Sequence, residues 1–179
     1  MSEIYKINGQ IYEKTDSHLS AIPPPFEGEI CIQGSEVYGT CRDCCDGEKF
    51  YIFGSFTMTE SYKRGIAFYM LSERDDSARS SAYVLPDMTK PRICTWMHGS
   101  SQHYDRWFSP SGLAEITLVN GEISQEKAEE IVTEAKKIPI KGQYTCNYDF
   151  TRPIAIRILK YALCEADGEK YGKKIRNSW

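Results

Sequence analysis

Most of the chain alternates short β-branched and aromatic runs with turn-forming residues, and this pattern limits its possible folds more than any other feature. The runs are "EICIQGSEVYG", "KFYIFGSFTM", "RGIAFYML", "SAYVL", "RICTWM" and "LAEITLV". Such side chains favour strands, and turn residues at this spacing favour antiparallel connections. Asn8-Gly9, between two short runs that contain Ile and Tyr, predicts a further hairpin because both residues accept the positive φ of a type I′ turn.

The periodicity changes after Asn120-Gly121. Ser124 is a suitable N-cap for "SQEKAEEIVTEAKKI", whose apolar positions recur at helical spacing. These positions are Ala128, Ile131, Val132 and Ala135. A second helix is predicted over residues 152–165, with Thr151 as its cap. The expected fold is therefore α+β: an antiparallel twisted sheet or half-barrel of roughly six to eight strands, with two C-terminal helices packed on it.

Length and composition favour one globular domain over residues 1–179. Hydrophobic residues make up 41% of the chain and charged residues 26%, a mixture typical of a protein with its own core. A Pro-rich connection is expected near residues 22–28, and residues 168–179 form a basic tail. The net charge of −3 argues against a nucleic-acid partner, which requires a basic surface.

The sequence favours a location in the cytoplasm, or delivery by a route that does not use a signal peptide. The first residues, "MSEIYKINGQIYEK", lack the basic and apolar regions of a standard signal peptide. The apolar run "IAFYML" is also far shorter than the roughly 18 residues that span a bilayer, so no membrane span is expected.

Three of the seven cysteines form a cluster in "CRDCCDGEKF". Cys41 and Cys44 have the spacing of half a zinc knuckle, and Cys45 adjoins them. The sequence contains no second half-site, so neither a metal site nor a cofactor is predicted. Metal binding, a redox pair, turn packing and an adventitious disulfide all remain open for this cluster.

Cys146 is the candidate nucleophile, because it precedes the second predicted helix. Unpaired N–H groups and the helix dipole can lower the pKa of a thiol at such a position. A general base is also needed, and His98 or His103 could supply it from "CTWMHGSSQHYDRW". Asp105 or Asp149 could orient the imidazole.

The segment 96–108 is also rich in aromatic residues. Trp96, Tyr104 and Trp107 could line an aromatic loop that binds a protein partner, since aromatic side chains dominate binding hot spots.

The order of elements resembles that of a known enzyme group. Strands, an amphipathic helix, a Gly-x-Tyr sequence, a Cys-bearing turn and a final helix follow one another in "ISQEKAEEIVTEAKKIPIKGQYTCNYDFTRPIAIRILKYAL". This segment resembles the circularly permuted papain-like cysteine hydrolases, the NlpC/P60 and lecithin:retinol acyltransferase-like group. Two positions depart from that pattern: Ile66 stands where the group's histidine is expected, and Phe150-Thr151 where its Asn-Cys pair is expected.

The resemblance implies peptidase or amidase chemistry, of the kind found in a bacterial effector or cell-wall enzyme. Cys146 would attack an amide or acyl bond of a peptide-like substrate, with His98 or His103 as base in a shifted geometry. A degenerate relative that has lost this chemistry is a further possibility. The alternative hypothesis is a non-catalytic protein-binding module that uses the aromatic loop at 96–108.

Overall fold

The computed structural model describes residues 2–14, 19–21, 25–58, 63–74, 81–85, 87–88, 92–99, 108–121 and 123–137. Within these ranges the chain forms nine strands and one helix. The strands are Ser2–Lys14 (β1), Leu19–Ala21 (β2), Phe26–Gln33 (β3), Glu36–Asp43 (β4), Lys49–Met58 (β5), Arg64–Ser72 (β6), Ser81–Leu85 (β7), Arg92–Gly99 (β8) and Phe108–Asn120 (β9). The helix is Gln125–Ala135 (α1).

The nine strands form one antiparallel sheet that closes on itself. Their order is β2-β1-β3-β4-β5-β6-β7-β8-β9, and β1 also pairs with β9. Along residues 5–9, β1 has β3 on one side and β9 on the other. β2 pairs with β1 at Tyr12–Lys14, beyond the end of the β3 pairing. Eight strands therefore complete the ring, and β2 extends it beside β1.

The predicted α+β fold with two C-terminal helices is wrong for the part of the chain that the structure describes. That part is mostly β, and α1 is its one helix. The strand runs named above are confirmed, but the sequence did not predict that the ends of the sheet would meet. The second predicted helix, 152–165, lies outside the described residues. The Pro-rich connection is shorter than expected, because β3 already begins at Phe26.

The predicted N-terminal hairpin at Asn8-Gly9 is also wrong, since both residues lie inside β1. Gly9 is directly opposite Phe26 in the pairing of β1 with β3. A Cβ atom at position 9 would lie 2.2 Å from Cζ of the Phe26 ring. Glycine is therefore needed here to make room for an aromatic ring, and a turn is not the reason for it.

The helix prediction is confirmed in detail. Ser124 is the N-cap of α1, and its hydroxyl oxygen accepts a hydrogen bond from the Lys127 N–H at 3.3 Å. The buried residues of α1 are the predicted Ala128, Ile131, Val132 and Ala135. They pack on the outer face of β1, β3, β4 and β5. Charged contacts reinforce this docking: Lys127 Nζ lies 2.6 Å from Glu29 Oε1, and Lys49 pairs with Glu134.

No helix in the described ranges is long and apolar enough to cross a membrane.

Candidate functional site

The interior of the closed sheet is filled by apolar side chains at its middle. Phe26 on β3 and Tyr83 on β7 belong to opposite sides of the ring of strands, yet their ring centroids are only 6.0 Å apart. Phe68 extends the contact, with its centroid 5.3 Å from that of Tyr83. Eight-stranded closed sheets are just wide enough for side chains to fill. The middle is therefore packed core, and a ligand site inside the closed sheet has to lie towards one of the ends.

One of the clustered cysteines belongs to this core. Cys41 is 2% exposed, and its Sγ–H group donates to Sδ of Met70 at 3.2 Å. Burial raises the pKa of the Cys41 thiol far above its ordinary value, with smaller contributions from Cys44 and Asp43. The thiol is therefore neutral at physiological pH and acts as a small apolar side chain.

The turn between β4 and β5 lies at one end of the sheet, which we call the sealed end because buried polar groups lie beneath this turn. Glu48 is buried there and accepts a hydrogen bond from the Ser72 hydroxyl. The Ser72 oxygen in turn accepts from the Arg74 N–H at 3.1 Å. The Cys44 N–H donates to the Pro25 carbonyl oxygen at 2.9 Å and so ties the turn to the start of β3. Among the described residues, polar groups and backbone thus lie over the apolar interior beside β3, β5 and β6.

The same turn explains the cysteine cluster. The Asp43 Oδ1 atom accepts from the N–H groups of Cys45 at 2.7 Å and Asp46 at 3.2 Å, an arrangement typical of Asp at the start of a turn. Cys44 and Cys45 are exposed on the turn, whereas Cys41 lies inside the sheet. The cysteine spacing therefore follows from a strand end and a tight turn.

This arrangement does not favour metal or redox chemistry at the cluster. Loss of some hydration near the protein surface raises the pKa of the Cys44 thiol, and the nearby charges of Glu27 and Asp43 raise it further. Cys31, Cys41, Cys44 and Cys45 are free thiols. Among the residues that the structure describes, no three His, Cys, Asp or Glu side chains are grouped so that they could hold a metal ion.

The opposite end, which we call the accessible end, is formed by the start of β1, the end of β5 and the start of β6. Two apolar side chains that pack on the core, Phe56 and Leu118, are only partly buried and reach solvent here. Two charged side chains share this end: Glu3 is 36% exposed and Arg64 is 35% exposed. The backbone carbonyl of Arg64 accepts from the Met88 N–H at 2.8 Å, which fixes the strand at this point.

Three polar side chains converge at the accessible end. The Glu3 Oε2 atom accepts from the Tyr5 hydroxyl at 2.5 Å and from Arg64 Nη2 at 2.7 Å. The guanidinium carbon of Arg64 lies 5.2 Å from the centroid of the Phe56 ring, within the range of a cation–π contact. Tyr5 and Phe56 both pack against the interior, so apolar surface adjoins the polar group.

The contacts shift the pKa of each of the three groups. Hydrogen bonds from Tyr5 and then Arg64 lower the pKa of the Glu3 carboxyl. Burial and the hydrogen bond to Glu3 raise the pKa of Tyr5. The hydrogen bond to Glu3 raises the pKa of Arg64. Mutually perturbed groups beside apolar surface are typical of functional sites, so we take Glu3, Tyr5, Arg64 and Phe56 as the candidate site.

Most of the residues that the sequence predicted for a site lie outside the described residues. These are Cys146, His103, Tyr104, Asp105, Trp107 and Asp149. Trp96 and His98 lie within β8, which continues to Gly99, so the predicted aromatic loop does not begin at residue 96. In the pairing of β7 with β8, position 96 is opposite Tyr83 and position 98 is opposite Ser81.

Sequence reasoning missed the candidate site, because its members are far apart in the chain. Glu3 and Tyr5 share one face of β1, and this alternation could have been recognised in "SEIYKI". Arg64 appears in the sequence only as a charge before an apolar run. Nothing in the pattern shows that β1 and β6 approach at one end of a closed sheet.

Comparison with models of known protein families, with curated proteins and with solved structures found no match to this chain.

Proposed function

We propose that this chain is a non-catalytic binding protein that holds a small molecule with an apolar body at the accessible end of its closed sheet. The observation that carries the proposal is the difference between the two ends. At the sealed end Glu48 and Ser72 are buried beneath a turn, whereas at the accessible end apolar side chains reach solvent beside three polar groups. Ends of closed sheets are frequent ligand sites.

The accessible end offers both kinds of contact that a small molecule needs. Phe56 and Leu118 present apolar surface whose burial by a ligand contributes roughly 25 cal/mol per Å². β1 and β6 lie on opposite sides of the ring, so the hydrogen-bonded group of Glu3, Tyr5 and Arg64 crosses the opening at this end and can fix the orientation of the ligand. Because the middle of the interior is packed, the ligand lies across the end and does not pass through the sheet.

The cysteine-hydrolase hypothesis stays a prediction, since it depends on Cys146, which lies outside the described residues. The protein-binding loop also stays a prediction, with Trp96 now assigned to a strand. The accessible end supports the binding proposal independently of either.

A fluorescence titration of the full chain with N-phenyl-1-naphthylamine tests the proposal. This neutral probe becomes bright when its aromatic rings leave water, and we expect saturable binding to the folded protein. Replacing Phe56 by Ala removes an aromatic wall and should weaken binding about tenfold, the equivalent of about 1.4 kcal/mol.

The matched control is Val119→Ala. Val119 adjoins Leu118 in the chain, but it lies on the outer face of β9 and is 50% exposed. This variant should bind the probe as wild type does. Absence of saturable binding, or equal losses in both variants, would show that the accessible end is not the binding site. Melting temperatures of both variants confirm that they are folded.

A further inference from the structure

The proposed function leaves open what kind of ligand the accessible end selects, and the hydrogen bonds there indicate an answer. One carboxylate oxygen, Glu3 Oε2, receives two donors from different strands: the Tyr5 hydroxyl of β1 and Nη2 of Arg64 on β6. Two convergent donors, one of them cationic, form a typical carboxylate-binding arrangement. The chain's own Glu3 occupies it.

We propose that Tyr5 and Arg64 form a binding site for the carboxylate of a small organic acid, which Glu3 fills in the free protein. The inference rests on the proposed function, because it assigns the charged group of a ligand whose apolar body lies on Phe56 and Leu118. The ligand is thus an aromatic or aliphatic acid that exchanges with Glu3.

The two donors are held more firmly than the acceptor that they share. Tyr5 is only 8% exposed and packs in the core cluster. Arg64 lies over the Phe56 ring, and its backbone is tied to Met88. The Glu3 side chain is 36% exposed near the start of β1, and Arg64, although 35% exposed, is held by its contact with the Phe56 ring. An incoming carboxylate can therefore displace Glu3 into solvent while the donors stay in place.

The exchange requires little free energy from the protein. Ion pairs that are partly exposed contribute little to stability, because water screens them and solvates the released charge. The apolar body of the ligand adds burial at Phe56 and Leu118 that Glu3 itself does not provide. If Glu3 stayed in place, its charge would repel the incoming anion, so removing this charge should strengthen binding.

The experiment compares 2-naphthoate with 2-naphthamide, which have the same apolar body but differ in charge. Calorimetric titration of the full chain should show naphthoate binding about tenfold more tightly, as expected for a charge-assisted hydrogen bond. Glu3→Gln should strengthen naphthoate binding several-fold and leave naphthamide binding unchanged. Arg64→Gln should remove the preference for naphthoate, and Tyr5→Phe should reduce it.

The control variant is Arg42→Gln. Arg42 lies on β4 and donates to the Gly47 carbonyl oxygen in the β4–β5 turn at 3.0 Å, at the sealed end. This variant should prefer naphthoate over naphthamide as strongly as the wild type does. If it loses this preference as fully as Arg64→Gln does, the inference is overturned. The melting temperature of each variant should match that of the wild type. Tyr5→Phe removes one of the two donors without altering the net charge of the protein.

The remaining outcomes separate this inference from the proposed function. If both naphthalene compounds bind equally well and Glu3→Gln changes neither, the anion site is refuted and the proposed function stands. If neither compound nor the neutral fluorescent probe binds, the inference and the proposed function are both refuted.

A third comparison uses acetyl-Gly-Phe and its C-terminal amide. Stronger binding of this peptide acid than of naphthoate would overturn the assignment of a small free acid in favour of a peptide C-terminus.

Discussion

At the scale of single residues, the interior depends on glycines where a side chain would collide. Gly9 is the clearest case, because the three atoms nearest to a methyl group added at this position would all belong to the Phe26 ring. That ring is also in contact with Tyr83 on the far side of the sheet, at 6.0 Å between centroids. Phe26 therefore has little room to move away from a new methyl group. Close packing of this kind makes small additions costly.

We expect Gly9→Ala to lower the free energy of unfolding by about 1–3 kcal/mol, the usual cost of overpacking a core. In a Phe26→Leu background the same substitution should cost less, because the shorter side chain leaves space for the added methyl group. Denaturant titration of the four proteins in this double-mutant cycle measures the coupling. Equal costs in the two backgrounds would mean that Phe26 is not the reason for glycine at position 9.

At the scale of elements, the sequence predicted α1 well and the N-terminal region poorly. α1 carries its information locally: a cap at Ser124 and apolar residues at helical spacing are sufficient to define it. The Asn8-Gly9 pair is also a local signal, but here the packing of Phe26 against Gly9 overrides it. Local patterns thus predict an element correctly when residues of that element define it. They fail when packing against a residue distant in the chain determines the backbone conformation.

The docking of α1 should depend on pH. Hydrogen bonds from Lys137 and Lys49 lower the pKa of Glu134 to about 2 from its ordinary 4.5. Because the folded-state pKa is the lower one, this carboxylate stabilises the fold fully above the unfolded value, and the contribution is lost as the pH falls towards 2. Unfolding measurements on wild type and Glu134→Gln from about pH 7 to pH 3 should show a stability difference that narrows on acidification.

Lys49→Gln provides the control for this measurement. It removes one of the two lysines that contact Glu134. The contribution of Glu134 to stability should therefore depend less on pH but should not lose its pH dependence, since Lys137 remains 2.6 Å from the carboxylate. If the wild type is more stable than Glu134→Gln by the same free energy at pH 7 and at pH 3, the pH dependence does not come from Glu134.

At the scale of the whole molecule, closure of the sheet is the feature that the sequence could not provide. Residues 5–13 of β1 pair with residues 112–120 of β9, and most of the chain separates the two segments. Periodicity predicts that strands exist, but it contains no information about which distant strands pair. The candidate site has the same origin, because Glu3 and Arg64 meet only when the ring of strands is complete.

Closure also predicts how the molecule opens. The central residues of β1 are paired on both sides, so their amide groups should exchange hydrogen only through global unfolding.

Ile7 is fully buried on β1, opposite Leu118 of β9. Ile7→Ala should lower the free energy of unfolding by about 2–5 kcal/mol and reduce protection in β1, β3 and β9 together. Val119→Ala, a change on the outer face of β9, should stay within about 0.5 kcal/mol of wild type. Hydrogen exchange followed by mass spectrometry measures both variants. If the β1–β9 amides of the wild type exchange much faster than those between β5 and β6, the ring opens at this seam and does not unfold as one unit.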